Sequence, residues 1–183
     1  MSFKFPSVAP KLLGYAPDQV DLFVQQARAQ FEDPTAETVT ANSIRNTEFD
    51  LVKGGYLISA VDTAMDRLED TFAAREIQRQ KLFRGDFAVN DRKARIVEII
   101  AGRLARPKRK RFASTGWLLR GYSRKQVDAL CSQIDDHLNN QAPLSINSVR
   151  RAIFKATRGG YRESQVDAFL DRVIELLQIE KNS

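Results

Sequence analysis

The sequence predicts an all-α protein built from four short-helix, loop, long-helix units, arranged as a tandem duplicated pair with helical-bundle or coiled-coil packing. Three observations predict it. A Gly-Tyr motif followed by Val-Asp recurs four times, and an apolar stripe at helical spacing follows each copy. No segment alternates apolar and polar residues convincingly, so strands are not expected.

The motif is Gly-Tyr, three variable residues, Gln or Ala, then Val-Asp. It occurs at Gly14-Tyr15 with Gln19-Val20-Asp21, and at Gly55-Tyr56 with Ala60-Val61-Asp62. It returns at Gly121-Tyr122 with Gln126-Val127-Asp128, and at Gly160-Tyr161 with Gln165-Val166-Asp167. The second and fourth copies align at a constant shift of 105 residues, with Asn42-Ser43-Ile44-Arg45 over Asn147-Ser148-Val149-Arg150 and Phe49 over Phe154. The first and third align at a shift of 107, and there Phe5 and Phe112 each precede the Gly by nine residues instead of six. Two kinds of unit therefore alternate, one with a long loop and one with a short loop.

Each residue of the motif has an expected mechanical role. Gly suits a positive φ at a sharp turn into a helix, and Tyr can staple onto the Val five positions later. Pro17 suits the first helical position, and Ser123 with Gln126 reads as a capping box. After the staple, apolar residues fall at relative positions 0, 3, 4, 7 and 11 in every copy: Val20, Phe23, Val24, Ala27 and Phe31 in the first, for example. Cys131 occupies the place of Val24, Met65 and Leu170, so it is expected in the core.

The domains expected are a first unit pair over 1–75, a basic helical connector over 76–111 and a second unit pair over 112–183. Residues 1–74 hold 6 basic and 11 acidic residues, residues 75–111 hold 13 and 4, and residues 112–183 hold 10 and 8. The basicity of the chain, net +6, thus lies in the middle. That stretch is expected to continue the second unit's helix to Lys81 or Phe83, break near Gly85, and form a helix bearing Ile96, Ile99, Ile100 and Leu104 before Pro107 stops it.

Several function classes are disfavoured. No apolar run reaches the roughly 20 residues a membrane span needs, and no secretory signal is apparent at the N-terminus. One cysteine and one histidine, His137, leave little for a disulfide or a transition-metal site, and fit a reducing cytoplasm. No phosphate-binding Gly-rich loop or nucleophile–base pair is present, so an enzyme, a cofactor and a catalytic residue are not expected. His137 is expected to be exposed near a helix end.

The pattern Phe, Gly-Tyr, Gln-Val-Asp, Phe-Leu-Asp resembles the N-terminal DivIVA domain of bacterial division and polar-growth scaffolds, and the related GpsB-type division adaptors. Asn147 to Val173 matches best, through Arg158-Gly159-Gly160-Tyr161 and Gln165-Val166-Asp167-Ala168-Phe169-Leu170-Asp171. The resemblance implies a short helix and loop before a long dimerising helix, and a loop tip that meets the membrane with an apolar and a basic residue. Aligned on Gly-Tyr, the tip candidates are Leu12 and Leu13 in the first copy and Trp117, Leu118, Leu119 and Arg120 in the third. It also implies that Tyr56, Asp62 and Asp66, and Tyr161, Asp167 and Asp171, hold arginine-bearing partner peptides. Family scaffolds continue into a long coiled coil, which is not seen before Ser183, so the four units are also free to pair with one another.

These readings predict a non-enzymatic cytoplasmic scaffold, peripheral to the inner face of the membrane, with division or cell-wall proteins, an anionic membrane surface and self-association as its partners. An exposed Trp-Leu-Leu-Arg tip would bury apolar side chains at the headgroup boundary, whereas the same residues could instead fold onto the unit's own core. The alternative is a nucleic-acid-binding regulator that uses Arg106, Lys108, Arg109, Lys110 and Arg111 to neutralise phosphates. A solvated linker is the plainest reading of that basic run.

Overall fold

Helix carries most of the chain, and short strand pairs tie the helices together. The computed structural model describes residues 4–33 and 38–182, and divides into two units, Met1–Gln78 and Arg79–Ser183. The order is β1 (Leu13–Tyr15), α1 (Pro17–Glu32), α2 (Ala41–Arg45), β2 (Leu51–Lys53), α3 (Ile58–Leu104), β3 (Arg120–Tyr122), α4 (Arg124–Asn140), α5 (Ile146–Arg150), β4 (Ala156–Arg158) and α6 (Glu163–Lys181).

In the first unit, Pro17 opens α1 with its preset φ, as the sequence predicts. Thr40 and Ser43 close a capping box on α2, each side-chain oxygen accepting from the other's backbone N–H at 3.0 and 2.8 Å. Two apolar clusters hold the unit. One joins Ala27 of α1, Ala41 and Ile44 of α2, and Phe72 and Ala73 of α3; the other joins Phe5, Val20, Tyr56 and Val61. Arg45 pins α2 to α3 through Glu69 at 2.6 Å, both side chains nearly out of solvent. The predicted stripe is buried or half-buried except at Phe31, which is 48% exposed and carries the Arg75 guanidinium 4.6 Å above its ring.

In the second unit, α4 buries Val127, Leu130, Cys131 and Ile134, and α6 buries Val166, Phe169, Val173, Ile174, Leu176, Leu177 and Ile179. So wide an apolar face on α6 needs more than one neighbour. The later stretch of α3 supplies one, with Val89, Ile96, Ile100 and Leu104 buried and the ion pairs Arg92–Glu175 (2.6 Å) and Lys93–Glu180 (3.1 Å) joining it to α6. The stretch 76–111 is therefore not a body of its own: the division falls between Gln78 and Arg79, and most of it belongs to the second unit. The break expected near Gly85 is present, with φ 76° and ψ 166° inside α3. Ile99, expected beside Ile96 and Ile100, is 58% exposed.

Four strands correct the expectation of none. β1 pairs with β2 and β3 with β4, both antiparallel, in the registers Gly14↔Val52 and Gly121↔Thr157. Three residues are too few to display a period of two, so no alternation was there to read. The motif glycines also act differently from expectation. Gly14, Gly55, Gly121 and Gly160 do not have positive φ; the glycines that do are Gly54, Gly85, Gly116 and Gly159. A Cβ on Gly121 would lie 2.2 Å from the Tyr161 carbonyl oxygen, and one on Gly160 2.3 Å from that of Gly121. The motif needs glycine so that two backbones can touch.

Candidate functional site

The four Gly-Tyr motifs meet two by two, first with second and third with fourth. Tyr15 and Tyr56 exchange backbone hydrogen bonds at 3.0 and 2.8 Å, and Tyr122 and Tyr161 do the same at 3.0 and 2.9 Å. Each tyrosine hydroxyl then reaches the Val-Asp carboxylate of the opposite motif. Tyr56 donates to Asp21 at 3.1 Å and Tyr161 to Asp128 at 3.1 Å. Tyr15 hydrogen-bonds Asp62, and Tyr122 hydrogen-bonds Asp167. Burial above all raises all four phenols, with the facing carboxylate adding to it, and Tyr161 is pushed up to about 12 although the Arg111 N–H works against this.

The motif glutamine completes the exchange. Gln126 Oε1 accepts from the Lys155 N–H at 2.7 Å, Gln19 Oε1 from that of Asp50 at 2.8 Å, and Gln165 Oε1 from that of Ala113 at 2.9 Å. This replaces the capping box read at Ser123 and Gln126: the Ser123 side chain makes no cap bond. The fourth position confirms the logic by omission. Ala60 stands where the glutamine would be, and the residue matching Ala113 is Pro6, which has no N–H to offer.

This geometry divides the six partner-peptide candidates. Tyr56 and Tyr161 are buried, at 4% and 0% exposure, and face Asp21 and Asp128 rather than the aspartates of their own motifs. Asp62 and Asp167 are exposed and stand beside Tyr15 and Tyr122, with Asp66 and Asp171 one turn further along their helices. Burial first, then Glu163 and Asp171, raises the Asp167 carboxyl above its ordinary value, although the Tyr122 hydroxyl works against this.

The tip candidates lie in solvent and not on the core. Trp117, Leu118 and Leu119 are 79%, 70% and 65% exposed, and Leu12 and Leu13 are 60% and 54%. Arg120 is exposed and pairs across the ribbon with Arg158, whereas Leu13 pairs with Lys53 in the first unit. Two arginines directly opposite repel each other, so an anion between them would be favoured.

The basic run is not uniform. Arg106, Lys108, Arg109 and Lys110 are exposed, but Arg111 is 5% exposed and belongs to the core, a correction to its reading as a polyanion contact. Arg111 Nη1 lies 3.7 Å from Asp128 Oδ1, its N–H donates to the Tyr161 hydroxyl at 3.3 Å, and the neighbouring Arg109 N–H donates to Asp128 Oδ2 at 2.7 Å. Arg124 links the run to the ribbon by donating to the carbonyls of Arg109 (3.1 Å) and Gly159 (2.8 Å).

Cys131 is buried as expected, and burial pushes its thiol up to about 11 although Arg111 works the other way. His137 differs from expectation. It is half-buried, with Nδ1 2.7 Å from the Ala142 carbonyl and Nε2 2.9 Å from Glu180. Among the described residues, no group of three or more His, Cys, Asp or Glu could hold a metal ion, and no helix is long and apolar enough to cross a membrane. No family model, curated protein or solved structure matches this chain.

Proposed function

We propose that this chain is a non-enzymatic bacterial adaptor in which four DivIVA-like repeat units pair two by two, presenting loop tips to the inner face of the membrane and carboxylates to partner proteins of division or envelope growth. The observation that carries this reading is the reciprocal Tyr–Asp and backbone exchange between paired motifs, which leaves Trp117, Leu118 and Leu119 projecting into solvent. Apolar side chains held out of a core by a hydrogen-bonded ribbon suit burial at the headgroup boundary, at about 1.5–3 kcal/mol for each one fully buried. Arg120 and Arg158 supply charge for anionic headgroups at about 1 kcal/mol each. Leu12, Leu13 and Lys53 form the weaker counterpart in the first unit.

For partner proteins, the carboxylate pairs Asp62/Asp66 and Asp167/Asp171 suit the planar fork of an arginine. Tyr15 and Tyr122, contributed by the paired unit, take the place that the resemblance gives to Tyr56 and Tyr161. A second reading rests on the exposed residues Arg106, Lys108, Arg109 and Lys110, which Arg124 joins to the ribbon, as a contact for nucleic acid. Co-sedimentation of the full chain with anionic phospholipid vesicles tests the first reading: Leu119→Asp abolishes most of the binding, and unchanged binding would count against it. Salt-sensitive binding to duplex DNA, lost on neutralising Arg106 and Lys108 to Lys110, would favour the second.

A further inference from the structure

The second unit has another apolar projection, at the break in α3. Leu82, Phe83 and Phe87 are 78%, 80% and 82% exposed, as bare as Trp117, and none of the chemistry above uses them. The break that presents them is well fixed. Gly85 sits at φ 76° with open space around it, the Gln80 side chain donates to the Ala88 carbonyl at 3.3 Å, and Arg92 donates to Gln80 Oε1 at 3.2 Å. Val89, just past the turn, is buried. Three bare apolar side chains on a braced corner amount to on the order of 400 Å², as large as the main patch of a typical monomer.

Charge and position select the occupant. Arg84 and Asp86 flank Gly85, both exposed and neither in an ion pair among the described residues. A surface in an otherwise basic unit that carries one charge of each sign around an apolar centre is complementary to itself. A two-fold axis through the corner would allow Arg84 of each copy to face Asp86 of the other. The corner also lies away from the ribbon. Lys81 Nζ donates to the carbonyl of Asn182, just past the end of α6, while the start of α6 adjoins Tyr161 in the ribbon. The 19 residues of α6 separate the two ends by about 28 Å at 1.5 Å per residue. A bilayer meeting the ribbon end would leave the corner free, a point that rests on the proposed membrane reading; the charge pattern does not.

From these relations we infer that the Gly85 corner is a two-fold contact with a second copy of this chain, centred on Leu82, Phe83 and Phe87 and rimmed by Arg84 and Asp86. Its area is below that of a standard stable interface, so the dimer is weak and depends on concentration.

Analytical ultracentrifugation of the full chain without lipid tests this independently of any membrane role. The unaltered chain goes from monomer to dimer as concentration rises into the upper micromolar range. Phe83→Asp and the milder Phe87→Ser each shift the midpoint by on the order of tenfold or more while helical circular dichroism is unchanged. Arg84→Glu and Asp86→Arg each weaken the dimer, and the two together restore it, because the pairs are exchanged across the axis. A chain that stays monomeric throughout overturns the proposal, as does a dimer indifferent to Phe83→Asp or single charge reversals that are not rescued by the double one. If the chain stays monomeric and Phe83→Asp instead abolishes vesicle binding, the corner is a lipid contact and the two-fold contact is refuted.

Discussion

The hydroxyl of Tyr161, in the fourth motif, donates to Oδ1 of Asp128, in the third, at 3.1 Å, and both residues are buried. The same carboxylate faces Arg111 and accepts from the Arg109 N–H, so one aspartate anchors the third-to-fourth pairing and the end of the basic run. Tyr161→Phe removes one of several bonds to Asp128 together with the acceptor of the buried Arg111 backbone N–H, and costs about 1–3 kcal/mol. Asp128→Ala strands the buried Arg111 guanidinium and costs about 3–5 kcal/mol. Urea unfolding of the two variants checks that order; equal losses would mean that the carboxylate has no role beyond Tyr161.

Close backbone contact makes a second prediction. Gly121→Ala places a methyl 2.2 Å from a carbonyl oxygen, and destabilises the second unit by roughly 3 kcal/mol or more. Gly102→Ala, in α3 with nothing within 4 Å of the new methyl, stabilises by about 0.5–1 kcal/mol. Opposite shifts in melting temperature are the expected result.

His137 should make the second unit sensitive to pH. Burial disfavours its protonation, but the Glu180 and Ala142 oxygens facing its two ring nitrogens outweigh burial and the nearby Lys93, so its pKa is raised above 6.5. Both oxygens accept, and only the charged ring can donate to both. The stabilisation is fully present below 6.5 and is lost as pH rises through the raised folded value. Denaturation midpoints across that range should fall for the native chain and lose this component in His137→Gln.

Cys131 should be silent in the folded protein. With its thiol buried and pushed up to about 11, an aromatic disulfide reagent reacts at neutral pH only as fast as the unit opens. Rapid labelling without denaturant would contradict the core placement.

What the sequence disclosed follows from which constraints are local. The helical stripes, the Cys131 core position and the Gly85 break are set within a few turns of chain, and each was legible. The strands were not, because three paired residues carry no periodicity and owe their existence to a partner 30 to 40 positions away. The partner of each tyrosine is equally remote: Tyr56 lies near Asp62 in sequence but reaches Asp21 in space. One signal for that pairing was present. Pro6 and Ala60 depart from Ala113 and Gln165 together, losing the donor and the acceptor of one bond. Arg111 was hidden by its neighbours, since a run of basic residues reads as solvated until one member proves to have a buried carboxylate.

The central claim, that the ribbon tip of the second unit meets a membrane, can be tested with the chain's own probe. Trp117 is the single tryptophan and is 79% exposed, so all indole emission comes from the tip. On adding vesicles of anionic phospholipid, the emission should shift to the blue and be quenched by lipids brominated along the acyl chain, while duplex DNA causes neither change. An emission spectrum unmoved by vesicles and unquenched by brominated lipid would contradict the account.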